Sequence, residues 1–197
     1  MNVKIFSLTI TFAAVAIALN TVRIPTIFYP GNYFQFSQIP IIIAFLLFGA
    51  RIGISIGAVN LLVSIMILPL GSTGIVTHTM DFLSLLPMFA GLKLAQKFTS
   101  QNEKMEEFST KKKPIVRLIA FPTAFRAITM PFIDYGFVFH FVLPLFFGIN
   151  YSGAAIAALV PSFILYNIIV PFYTVSVAYI VTTKVSGSAR LSTIAIL

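Results

Sequence analysis

The fold of this chain is indicated by residues 28–62, which read FYPGNYFQFSQIPIIIAFLLFGARIGISIGAVNLL. Arg51 is the one charged residue of this stretch, and it separates two apolar runs at 37–50 and 52–70. Apolar runs of this kind are typical of membrane helices, because about 20 residues of helix span about 30 Å of hydrocarbon. The aromatic residues before the first run predict a structured loop at one membrane face.

The composition of all 197 residues supports a membrane location. Hydrophobic residues make up 58% of the chain and charged residues 9%, whereas a soluble domain carries about 25% charged residues. This balance excludes a water-soluble domain, a disordered chain and a coiled coil. The absence of cysteine excludes a disulfide framework, a thiolate zinc site and a cysteine nucleophile.

Charge distribution sets the predicted topology. Basic residues concentrate in cytoplasmic loops, and an even number of crossings leaves only Arg23 and Arg126 of the thirteen Lys and Arg outside the cytoplasm. We therefore predict an all-α integral membrane protein, a single membrane domain over 1–197 built as a six-transmembrane-helix bundle with both termini cytoplasmic. The polar loop 97–114 is cytoplasmic in this topology, and 134–149 extends the fifth helix or re-enters the membrane. The predicted helices cover approximately 5–24, 37–50, 52–70, 79–96, 115–147 and 153–182.

The same cytoplasmic bias accounts for the net charge of +8. A nucleic-acid partner is therefore not expected, and the basic run Lys111, Lys112 and Lys113 is expected beside anionic membrane lipid.

Two outer loops are candidate binding elements. The first, 23–38, holds two prolines, a glycine, five aromatics, two glutamines and an asparagine. Flat apolar faces combined with amide edges suit a planar, polar-edged small molecule. The alternative is an aromatic belt at the membrane interface. The second loop, 69–74, is a candidate flexible flap.

Ionisable residues inside the predicted spans are few. Arg126 lies nine residues past Arg117, about 13 Å along a helix, where an Arg is costly and should face inward. Asp81 and Asp134 are its candidate partners, or else these residues bind a ligand. His78 and Asp81 stand three apart, a spacing that can hold a metal but supplies only two ligands, so capping of a helix is favoured.

Several small and amide residues could serve either helix packing or the binding of a ligand or partner. Gly53, Gly57 and Asn60 share one helix face, which favours close helix packing. Asn60 and Asn167 are amides in apolar surroundings that need partners, either a ligand or another helix. Ala14 and Ala18 form a small-residue face that serves internal packing or docking to a separate protein.

No Walker A or HExxH motif is present. The chain is therefore not expected to bind ATP by the Walker route or to be an enzyme. A transporter of this composition would take its energy from another subunit.

Residues 28–62, together with STGIVTHTMDFLS at 72–84, resemble the S components of energy-coupling factor (ECF) vitamin transporters, and most of all their riboflavin-binding branch. The similarity continues in FRAITMPFIDYGFVFHFVLP at 125–144 and in Tyr166-Asn167-Ile168-Ile169. The sequence departs from the branch where acidic residues, lysines or an asparagine are usual; here the residues are Gln35, Gln38, Val59, Val170 and Asp134.

The resemblance implies a non-catalytic substrate-binding subunit in the prokaryotic plasma membrane. It would bind a vitamin, riboflavin first, at the outer face as transported ligand, with no cofactor and no metal. It would dock through Ala14 and Ala18 onto a transmembrane coupling subunit driven by two ATPase subunits, and topple to release its cargo. The expected ligand-binding residues are Tyr29, Tyr33, Phe34, Gln35, Gln38, Asn60, His78, Asp81, Arg126, Asp134 and Asn167.

Three alternatives remain open at this stage. The chain could be an S component for another vitamin or small molecule, or a membrane assembly protein without a ligand. It could also be a membrane enzyme built on His78, Asp81, Arg126 and Asp134.

Overall fold

The computed structural model describes residues 3–22, 24–27, 32–67, 73–100 and 112–188. Regular structure in these ranges is helical, apart from one isolated antiparallel bridge between Pro25 and Tyr33. The elements in chain order are α1 (Val3–Asn20), α2 (Gln38–Phe48), α3 (Ala50–Ile67), α4 (Thr73–Ser100), α5 (Lys112–Phe132), a π-helical segment (Ile133–Val142), α6 (Leu143–Phe147) and α7 (Gly153–Ser188).

The predicted all-α class is confirmed, with six helical units when α5, the π-helical segment and α6 are counted as one. Residues 134–147 continue the fifth unit as helix, and their position relative to the membrane stays a prediction. α1 ends at Asn20, before the predicted 24, and α7 continues to Ser188, beyond the predicted 182.

Prolines lie inside both long C-terminal helices without dividing them. Pro122 and Pro131 lie inside α5, and Pro161 and Pro171 lie inside α7, without ending either helix. A proline removes one backbone hydrogen bond, but neighbouring helices allow a membrane helix to continue through it.

Four helices are long and apolar enough to cross a membrane by length and composition, namely those over Ala50–Ile67, Gly74–Phe98, Ile115–Phe147 and Gly153–Ser186. The apolar stretches Ile5–Asn20 and Gln38–Phe48 are shorter. Six crossings and cytoplasmic termini therefore remain predictions.

The glycines of α3 and α4 permit close helix contacts. A Cβ on Gly53 would lie 2.8 Å from Phe45 Cβ, and one on Gly91 would lie 2.5 Å from Pro122 Cα. Both distances are too short for real atoms, so the packing interpretation of the Gly53 face is confirmed. Phe45 in turn stacks on Phe89 with ring centroids 4.8 Å apart, in the main core of the bundle.

A second apolar cluster joins the π-helical segment to the first half of α7. Phe139, Ile156 and Phe163 are buried in it, and the rings of Phe139 and Phe163 stack at 5.2 Å. Phe132 and Leu145, on the outside of this part, are each 76% exposed. A surface this apolar is expected to face lipid rather than water.

Candidate functional site

A cleft opens where α1 ends, α4 begins and the loop between α1 and α2 crosses the bundle. Its volume is about 430 Å³, including the space open at its mouth. The cleft is lined by Leu19, Asn20, Val22, Asn32, Tyr33, Phe34, Gln35, Phe36, Thr77, His78 and Asp81.

Backbone and side-chain contacts hold the described residues of the first loop (21–37, described over 21–22, 24–27 and 32–37) in place. The Thr26 N–H donates to Asn32 O at 3.0 Å and the Phe34 N–H donates to Ile24 O at 2.9 Å, so that 24–26 pair with 32–34. The Tyr166 hydroxyl of α7 donates to Tyr33 O at 2.9 Å. The first loop is therefore fastened to α7 as well as to itself.

Aromatic rings add a second attachment of the first loop to α7. The ring of Tyr173 lies 5.9 Å from those of both Phe34 and Phe36. These rings bury apolar surface beneath the loop, with a tilted or edge-on geometry that aromatic pairs favour.

Arg126 lies beneath the first loop and is only 1% exposed. Its Nε donates to Asn167 Oδ1 at 2.9 Å, and one terminal nitrogen donates to Gln38 Oε1 at 2.7 Å. The other terminal nitrogen donates to Gln35 Oε1 at 2.9 Å. The guanidinium thus ties the first loop, α2 and α7 to α5.

Two further groups complete the surroundings of the guanidinium. A terminal nitrogen lies 3.2 Å from Met88 Sδ, and the guanidinium carbon lies 5.9 Å from the centroid of the Tyr166 ring. A cation over an aromatic face is attracted by the ring quadrupole, which helps Arg126 to stay charged in a buried place.

The expected ion pair of Arg126 is not formed. Within the described residues neither Asp81 nor Asp134 lies within 4.0 Å of the guanidinium, although both carboxylates attract it at longer range. Neutral oxygens contact the guanidinium directly, and the Asp81 carboxylate lies one residue further out, beyond Gln35.

Gln35 and Gln38 link the two charged groups. The Gln35 amide N–H donates to Asp81 Oδ1, while Gln35 Oε1 accepts from Arg126 and from the Gln38 amide. Gln38 also donates to Ser84 Oγ at 3.1 Å. In each glutamine the amide oxygen faces Arg126 and the amide nitrogen faces away from it. The donor-to-acceptor direction is therefore the same at both residues.

Asn60 belongs to a separate polar cluster between α1 and α3. The Asn20 amide donates to Asn60 Oδ1 at 3.0 Å and to Ser64 Oγ at 2.8 Å. Asn60 and Ser64 are buried. The helix-partner alternative for Asn60 is therefore the one that the structure shows, and Asn20 connects it to the cleft.

His78 and Asp81 approach each other at the start of α4. His78 Nδ1 lies 3.9 Å from Asp81 Oδ2, and His78 is 5% exposed. Within the described residues no group of three or more His, Cys, Asp or Glu could hold a metal ion. The pair forms one wall of the cleft.

The structure divides the expected ligand-binding residues into two layers. The cleft wall contains Tyr33, Phe34, Gln35, His78 and Asp81. Behind or beside it lie Gln38, Asn60, Arg126, Asp134 and Asn167, while Tyr29 falls outside the described residues.

Sequence reasoning missed several members of the site. Asn20 was recognisable as an amide at the end of an apolar run, and Ser84 as the residue three positions after Asp81. Met88 and Tyr173 have no local signal, because they enter the site only through contacts with α5 and the first loop, and Tyr166 stood only in a stretch similar to the family.

The small residues of α1 point to two different sides. Ala13 and Ala16 are buried in the bundle, at 2% and 0% exposure, whereas Ala14 and Ala18 are exposed. The Ala14 and Ala18 face therefore does not serve internal packing of the described residues.

No family model and no curated protein matches the chain. Among solved structures, the S component of a bacterial ECF transporter is similar, with a TM-score of 0.74 and 19% sequence identity over 95% of this chain and 98% of that one. At this identity the likeness establishes the fold, and this chain therefore has the S-component fold.

Proposed function

We propose that this chain is the substrate-binding subunit of an ECF transporter and captures a vitamin, riboflavin first among the candidates, in the cleft beneath the first loop. The observation that carries the proposal is the buried network of Arg126, Gln35, Gln38 and Asn167, which lies under an aromatic loop in a bundle of the S-component fold.

The chemistry of the cleft suits a flat, polar-edged ligand. Phe34 and Phe36 offer apolar ring faces, and Gln35, His78 and Asp81 offer hydrogen-bonding groups at the edges. An isoalloxazine ring has the complementary arrangement, with flat faces and an edge that carries both donors and acceptors.

Delivery to the cytoplasm is proposed to require other subunits. Ala14 and Ala18 form an exposed small-residue face on α1, and small residues allow close approach of a second membrane helix. A transmembrane coupling subunit with two ATPase subunits is the proposed partner, in the prokaryotic plasma membrane.

Riboflavin fluorescence provides the direct test. Purified protein titrated into riboflavin in detergent should quench the flavin emission with saturable, one-to-one stoichiometry. Thiamine and biotin, tested by competition and calorimetry, identify an S component for another vitamin. Binding of none of these vitamins would contradict the proposal and favour an assembly protein without a ligand.

A further inference from the structure

Asn20 occupies a position that the expected site residues do not include. It is the last residue of α1, it is half-buried, and it lines the cleft together with Gln35 and Asp81. Two residues of α3 hold it there.

Hydrogen bonds fix the orientation of the Asn20 amide. Its nitrogen has two N–H groups, and they donate to Asn60 Oδ1 at 3.0 Å and to Ser64 Oγ at 2.8 Å. With both donors directed at α3, the amide oxygen is directed away from these two partners. No donor within the described part of the chain reaches that oxygen.

An amide oxygen at the wall of a half-buried cleft needs a donor. Leaving it unpaired after water is expelled costs about 1–3 kcal/mol. A ligand that fills the cleft must therefore supply an N–H or O–H at this point, or lose affinity.

Asp81 brings a carboxylate to the same cleft from α4 rather than α1, and its Oδ2 lies 3.9 Å from His78 Nδ1. One oxygen of its carboxylate accepts from Gln35, and the residue lines the same cleft. A carboxylate attracts donors and cations and repels anionic groups. The Asn20 oxygen and the negative charge of Asp81 together favour a ligand edge that carries donors and no negative charge.

We propose that Asn20 is a specificity-determining ligand contact, whose Oδ1 accepts a hydrogen bond from a donor-bearing, non-anionic edge of the ligand. The inference rests on the proposed function, and it narrows the ligand to uncharged or cationic heterocycles with N–H, NH₂ or O–H groups. Riboflavin and thiamine belong to this class, while an edge bearing a carboxylate or phosphate does not.

The test compares four variants of the full-length protein by equilibrium binding of riboflavin and thiamine. Asn20→Ala should weaken binding about tenfold or more, since tenfold corresponds to 1.4 kcal/mol. Asn20→Asp keeps an acceptor oxygen but loses both N–H donors to α3, so its affinity should lie between those of the wild type and Asn20→Ala. Thr21→Ala alters the same end of α1 at an exposed residue outside the cleft wall, and should leave binding unchanged.

Ser64→Ala separates ligand contact from structural support. It removes one of the two acceptors that hold Asn20 but leaves the cleft wall intact, so it should weaken binding far less than Asn20→Ala. A structural role of Asn20 would make the two variants equally weak.

The outcomes distinguish this inference from the function on which it rests. A wild type that binds vitamin together with an Asn20→Ala variant of equal affinity overturns the inference alone. The inference alone is also overturned if Asn20→Ala binds vitamin no more weakly than Ser64→Ala does. A wild type that prefers biotin, which carries a carboxylate, overturns it as well. A wild type that binds no vitamin overturns both.

Discussion

Arg126 contacts oxygen and sulfur atoms of neutral side chains rather than a carboxylate. A guanidinium has five N–H donors in a rigid fork, and Asn167, Gln38, Gln35 and Met88 occupy four directions around it. The three amides come from different parts of the chain, so the network defines the relative position of the first loop, α2, α5 and α7.

Removing the guanidinium should therefore damage both stability and binding. In Arg126→Leu the three amide oxygens lose their shared donor, at a cost of about 1–3 kcal/mol for a buried group left unpaired. We expect a clear fall in the thermal midpoint, followed by circular dichroism in detergent, and loss of riboflavin binding. Arg126→Lys keeps the charge but not the forked set of donors. Its thermal midpoint and riboflavin affinity should lie between those of the wild type and Arg126→Leu.

Arg51→Gln is the matched control for the Arg126 variants, because Arg51 is exposed on α3. It should leave both measurements unchanged. An Arg126→Leu variant with the wild-type midpoint would contradict the structural role of the network.

A substitution at Tyr166 tests the attachment of the first loop to α7. Tyr166→Phe removes the hydroxyl that donates to Tyr33 O and keeps the ring over Arg126. A single hydrogen bond contributes about 0.5–1.5 kcal/mol, so we expect faster ligand dissociation in stopped-flow fluorescence, by up to about tenfold.

Tyr135→Phe makes the same chemical change on a tyrosine that is 41% exposed, and should leave the dissociation rate alone. Equal rates in both variants would show that the Tyr166 hydroxyl does not hold the loop.

Sequence reasoning reached the charged residue of the site but not its partners. A lone arginine in an apolar run must face inward, and this physical rule identifies Arg126. Its amide partners Gln35 and Gln38 lie 91 and 88 positions away in the chain, and no periodicity or spacing encodes such contacts. The carboxylates were natural candidates on charge alone, but the neutral oxygens contact the guanidinium directly.

At the scale of single elements, α4 and α5 meet at a glycine. A methyl group on Gly91 would overlap the backbone of Pro122, so the two helix axes could not keep their present separation. Gly91→Ala should lower the thermal midpoint by several degrees, corresponding to about 1–3 kcal/mol for overpacking.

Gly153→Ala is the control for this prediction, since a Cβ at Gly153 would meet no atom within 4 Å. Its midpoint should equal or slightly exceed that of the wild type. A Gly91→Ala protein as stable as this control would mean that α4 and α5 can move apart without loss of stability.

Substitutions on α1 are expected to impair delivery of the ligand without changing its binding. Leucines at Ala14 and Ala18 enlarge an exposed face and should abolish co-purification with a coupling module and riboflavin uptake by cells, while the purified subunit keeps its riboflavin affinity. Leucines at Ala157 and Ala158, two exposed alanines of α7, should change neither property. Uptake that survives the α1 changes would place the docking face elsewhere.

The helices themselves were more predictable than their ends. Apolar length determines where a helix can exist, and the fifth unit was expected over 115–147 because its apolar character continues through Pro122 and Pro131. Its π-helical geometry was not predictable, because hydrogen bonding from i to i+5 leaves no mark in composition.

For the molecule as a whole, orientation is the property to measure. The cytoplasmic bias of basic residues predicts both termini inside, so a reporter fused after Leu197 should read as cytoplasmic and one inserted at 149–151 as external. The second fusion is the control for reporter function, and an external reading at Leu197 would require an odd number of crossings.

The π-helical segment over Ile133–Val142 allows the fifth unit to lose a residue and still span the same distance. Hydrogen bonds from i to i+5 place more residues in each turn than the 3.6 of an α-helix. Loss of one residue inside this segment can be taken up by tightening a turn, whereas the same loss in α5 would rotate every later side chain by about 100°. Natural or engineered deletions should therefore be tolerated between Ile133 and Val142 far better than a few turns earlier.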